Sequence, residues 1–115
     1  MEINMINEEL EAALSGLNVR VTYASPSQYG VLPCVSYYTL TEKSGFGYDN
    51  EDIITDALVQ IDVWADKGYK CGEIAAEINV IMSTAGYQRQ LSMDIPSDGD
   101  GVYHRALRYA KSYVN

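Results

Sequence analysis

An alternating run followed directly by a helix-period run fixes the centre of this chain. Residues 53–65 place Ile53, Ala57, Val59, Ile61 and Val63 on one face of a strand, and Asp56, Gln60 and Asp62 on the other among Leu58 and Trp64. A strand apolar on one side and mixed on the other belongs to an antiparallel sheet covered on one side. Asp66-Lys67-Gly68 turns the chain into a helix over about residues 69–85, where Ile74, Ile78, Ile81, Met82 and Ala85 form one stripe. Gly86 stands where a left-handed C-terminal cap belongs. Trp64, with Ile61, Val63, Ile74, Ile78 and Met82, is therefore expected to join this helix to the sheet as the core.

The flanking segments add five more elements. Ile3, Ile6, Leu10, Ala13, Leu14 and Leu17 recur at steps of three and four, so they predict a helix with glutamates on its other side, ended at Gly16. Residues 18–23 alternate as a strand with Val19, Val21 and Tyr23 on one side, and residues 24–30 form a loop marked by Pro26 and Gly30. Residues 34–41, rich in β-branched and aromatic side chains, read as a second strand. Residues 42–52 are polar and glycine-bearing and read as a long connection, with Phe46 and Tyr48 near its tip. Residues 87–95 alternate again, with Tyr87, Leu91, Met93 and Ile95 as the apolar set. A compact turn at 96–101 returns the chain as a hairpin partner over 102–114, a segment whose pattern serves helix or strand and is assigned as strand. The expected fold is α+β, in the order α-β-β-β-α-β-β: a mostly antiparallel sheet of about five strands with two helices on one face.

At 115 residues with 47% hydrophobic content, this is one domain able to build its own core. Ten tyrosines against one Phe and one Trp suit both half-buried strands and interfaces that are dry in one state and wet in another. A net charge of −8 argues against gripping phosphates, which requires clustered Lys and Arg. Cys34 and Cys71 fit no zinc spacing and are expected as free thiols. The acidic first seventeen residues read as neither signal peptide nor membrane anchor, so a cytoplasmic product is expected. His104 has no G-x-S-x-G elbow to serve and reads as an ordinary surface or edge residue. Asp56 and Asp62 read as solvated carboxylates on a half-exposed face, and the acidic runs at 49–52 and 98–100 have no EF-hand spacing. Gly45-Phe46-Gly47 lacks the further glycine and lysine of a phosphate cradle. No catalytic residue, metal or cofactor site is expected.

The words Val59-Gln60-Ile61-Asp62-Val63-Trp64, Gly68-Tyr69, Ile74-Ala75-Ala76-Glu77-Ile78 and Gly86-Tyr87 resemble the central strand–helix–strand of tail-completion proteins of long-tailed bacteriophages. Those are the tail-terminator or head–tail joining subunits of the neck. The likeness continues through His104-Arg105-Ala106-Leu107-Arg108-Tyr109, over roughly the C-terminal two-thirds of the chain. It implies a non-enzymatic virion protein, assembled in the host bacterial cytoplasm, that closes into a ring, commonly of six. The implied neighbours are the major tail-tube protein on one side and a head-closure protein on the other, with DNA passing through the channel without specific binding and no membrane involved. On this reading Tyr37, Tyr38, Phe46, Tyr48, Asp49, Glu51 and Asp52 are the expected interface residues. The alternative is a small ligand-binding domain or enzyme on a similar α+β fold, with a tyrosine-rich face lining a pocket.

Overall fold

The sequence builds one five-stranded sheet with a helical layer on a single face. A computed structural model describes residues 3–24, 31–46, 52–96, 99 and 101–114, and describes side chains there except at 3, 4, 44–46, 52–54 and 114. The elements are α1 (Ile3–Leu14), β1 (Arg20–Tyr23), β2 (Cys34–Phe46), β3 (Asp52–Ala65), α2 (Gly68–Thr84), β4 (Gln88–Ile95) and β5 (Tyr103–Val114). Their order matches the expectation from the sequence. Across the sheet the strands run β1-β2-β3-β5-β4. Three pairings are antiparallel and β1 lies parallel to β2, so the sheet is mixed.

The period of each element decides what it buries. Ile6, Leu10 and Leu14 on α1 and Ile74, Ile78 and Met82 on α2 are buried against Val35, Ala57, Val59, Ile61, Val63, Leu107 and Tyr109 of the sheet. Each of those sheet residues lies on the same face by strand parity, so both helices share that face. A Schellman motif ends α2: the Tyr87 amide donates to the Met82 carbonyl at 2.9 Å and the Gly86 amide to the Ser83 carbonyl at 3.1 Å. Gly86 holds φ of +92°, where a side chain is strained.

Three expectations are corrected. Residues 42–46 continue β2 and residue 52 starts β3, with Phe46 paired to Asp52, so only 47–51 lie between the strands. The polar composition there belongs to paired strand residues, and not to a loop. Trp64 is buried but belongs to the face opposite Val63, away from the helices, because neighbouring residues of a strand point to opposite sides. Tyr37 lies 4% exposed in the core under α1, with its ring edge-on to Tyr23, and is unavailable as an interface residue.

A bulge at Gln90 makes the remaining difference. Arg89 pairs with Tyr109 and Leu91 with Arg108, so one extra residue enters β4 and every later side chain changes face. Leu91, Met93 and Ile95 therefore lie on the face without helices, and Met93 is 45% exposed where the alternation predicts burial.

Candidate interaction surface

The second face of the sheet carries a polar row built from alternate positions of β3 and β5. Gln60 opposes Arg108, Asp62 opposes Ala106 and Trp64 opposes His104. Arg108 Nε donates to Gln60 Oε1 at 2.9 Å, and Gln60 Nε2 donates to both Asp62 oxygens at 3.1 and 3.3 Å. His104 Nε2 meets Asp62 Oδ1 at 2.8 Å. An ionised carboxylate only accepts, so Nε2 carries the proton in this contact. The imidazole stacks on the Trp64 indole, centroids 4.5 Å apart and planes 19° from parallel. Asp62, only 6% exposed, is thus held by three donor contacts from two side chains, as a buried carboxylate requires.

This overturns two expectations. Asp62 is buried and bonded where a solvated carboxylate is expected; Asp56, four residues beyond Gln60 toward the free end of the hairpin, is exposed and accepts from Ser112 Oγ. His104 is on an internal strand and hydrogen-bonded to Asp62, where an ordinary surface or edge residue is expected. The signal for the row was the recurrence of Gln60, Asp62 and Trp64 at every second position. Their partners on β5 become visible only with the register of the two strands.

Ser36 opposes Asp62 from β2, fully buried, yet its Oγ has no hydrogen-bond partner. Ser36, Asp62 and His104 therefore form no proton relay, since such a relay needs the hydroxyl within bonding reach of the base. Cys34, on the same face, and Cys71, on the buried side of α2, are free thiols, and burial pushes both above their ordinary range. Among the described residues no group of His, Cys, Asp or Glu could hold a metal ion, and no helix is long and apolar enough to cross a membrane.

Of the expected interface set, Tyr38 is on this second face, opposite Gln60, and half-buried. Phe46 and Asp52 stand at the far end of the β2–β3 pair, their side chains outside the described residues, as Tyr48, Asp49 and Glu51 are altogether. The structure thus brings Tyr38 together with the Trp64–His104–Asp62–Gln60–Arg108 row and leaves Tyr37 on the other side of the sheet.

Charge is divided between the two faces. Glu8, Glu11, Glu73 and Glu77 are exposed on the helices. On the second face the exposed charges include Arg20, Lys43 and Arg108 as well as Asp56. Among the described residues, the exposed helix surface named here is acidic, while the second face carries charges of both signs. No family model matches the chain, and no curated protein matches it.

Proposed function

We propose that this chain is a structural subunit of the neck of a long-tailed bacteriophage or prophage, closing as a ring on the tail tube and joining it to the head connector. One observation carries the reading furthest. The molecule measures 54 × 25 × 24 Å, and β2 and β3 are paired strands of 13 and 14 residues. Fourteen residues of β3 span about 46 Å at ~3.3 Å per residue. A strand pair of this length suits a subunit that spans from one ring of an assembly to the next. The resembling words lie in β3, α2 and the cap before β4, which build the centre of the fold.

The charge layout is compatible with a passage for DNA. Exposed Glu8, Glu11, Glu73 and Glu77 repel phosphate, so a duplex moves past the helical layer without adhering. With −8 per subunit, self-repulsion opposes ring closure at low salt, and contacts with the tail tip add the missing free energy. The alternative, a small enzyme or ligand-binding domain, is favoured by the Asp62–His104 pair alone, which has the composition of an acid–base dyad.

Deletion of the gene from the phage or prophage tests the reading. Full heads and separate, unjoined tails are expected. Normal infectious particles would reject the neck assignment.

A further inference from the structure

The directions of the strands follow from the pairings. With β3 taken as up, β2 and β5 run down; β1 is parallel to β2 and also runs down; β4 is antiparallel to β5 and runs up. The outer strands β1 and β4 therefore point in opposite directions. A second copy rotated about an axis along the strands, its helices on the same side, brings its β1 beside β4 of the first in antiparallel orientation. The donors and acceptors on those two edges then complete each other's ladder. Because a different surface is used on each side, the contact is heterologous, the kind from which a cyclic ring is built when the rotation closes.

Two features of β4 select one register. The bulge at Gln90 interrupts its first part, and Pro96, which has no amide hydrogen, follows its last residue. Between them lies a regular stretch, Leu91 to Ile95, and β1 has four residues to place on it. Helix-side residues must oppose helix-side residues. Only Arg20 opposite Ile95, continuing to Tyr23 opposite Ser92, keeps faces matched without using either the bulge or Pro96. A slip by two residues one way sets Tyr23 against Gln90, and the other way sets Val21 against Pro96. In the selected register Thr22 lies opposite Met93, and the exposed Met93 side chain gains a neighbour on the face without helices. Tyr23, 58% exposed on the other edge, is covered from the helix side.

We propose that β4 of one copy and β1 of the next pair antiparallel in this register, forming the subunit contact of the ring. This inference rests on the proposed self-association, and its test separates the two. Thr22→Cys with Met93→Cys is assembled at high protein concentration and moderate salt, or on purified tail tubes. The sample is imaged by electron microscopy, then oxidised and run under denaturing, non-reducing conditions. Directly opposed residues have Cβ atoms ~4.5–5.5 Å apart whereas diagonal ones are ~7–8 Å apart, so the expected ladder of covalent oligomers exceeds that of Thr22→Cys with Leu91→Cys by at least ~10-fold. Rings without such a ladder, or with equal ladders from both pairs, overturn the edge contact and leave the ring reading intact. Covalent dimers from Met93→Cys alone indicate β4 pairing with itself and also overturn it. A chain that stays monomeric even on tail tubes overturns both.

Discussion

Lys111 ties three elements together, and its removal gives a well-defined test of the packing. Its Nζ donates to the Ala85 carbonyl at the end of α2 at 2.7 Å and to Glu9 Oε1 of α1 at 3.0 Å. It lies 5.1 and 4.7 Å from the ring centroids of Tyr87 and Tyr113, whose hydroxyls are hydrogen-bonded to each other. A charged donor on a carbonyl is worth about 1.5–3 kcal/mol. The partly exposed pair with Glu9 adds about 0.2–1 kcal/mol after solvent screening. Each cation–π contact adds about 0.5–1 kcal/mol. These terms share one ammonium and do not add fully, and Met retains the packing of the aliphatic stem, so Lys111→Met should lose ~2–3 kcal/mol. For a domain of this size that lowers the melting temperature by roughly 10 °C. Urea and thermal unfolding followed by circular dichroism, with Glu9→Gln completing a double-mutant cycle, measure it. A shift below ~2 °C would show that Lys111 is solvated and that α1 and α2 are held by apolar contacts alone.

Three further perturbations probe the same structure. Gly86→Ala forces a Cβ onto a φ of +92° and to 3.4 Å from Lys111 Cε, so it should destabilise by about 1–2 kcal/mol, and Gly86→Asn by less; equal stability of all three forms would remove the left-handed cap. Burial pushes the phenols of Tyr87 and Tyr109 up to about 12, against an ordinary value near 10 that the unfolded chain retains. Their contribution is complete below pH ~10 and is lost as pH rises toward ~12, so the urea midpoint should fall across that interval, and a flat midpoint there would contradict their burial. His104→Ala should uncover the indole of Trp64, the single tryptophan, and shift its emission to the red; unchanged emission would refute the stacked arrangement on the second face.

The helices, their apolar stripes and the Gly86 cap were legible because each depends on local spacing alone. The strand over 102–114 was legible less directly: its pattern served either structure, and hairpin logic from the preceding turn decided it. What local spacing does not carry was missed. The parallel seat of β1 depends on where the chain returns and not on any residue within residues 18–23. The far half of β2 is polar and glycine-bearing, so its sequence resembles a loop, and only its pairing with β3 shows it to be strand. One inserted residue at Gln90 reverses the faces of Leu91, Met93 and Ile95 while leaving their alternation unchanged. At the candidate surface, Gln60, Asp62 and Trp64 were visible as one face, but burial of Asp62 required His104 and Gln60 together. Tyr37 and Tyr38 look alike in sequence, yet parity places one in the core and the other on the second face.

Self-assembly is the central claim, and direct imaging tests it most plainly. Purified protein incubated with tail tubes in moderate salt, and viewed by electron microscopy, should show a closed ring seated on the tube end with an open channel wide enough for duplex DNA. Bare tube ends with only monomers in solution, at every salt and protein concentration tried, would contradict it.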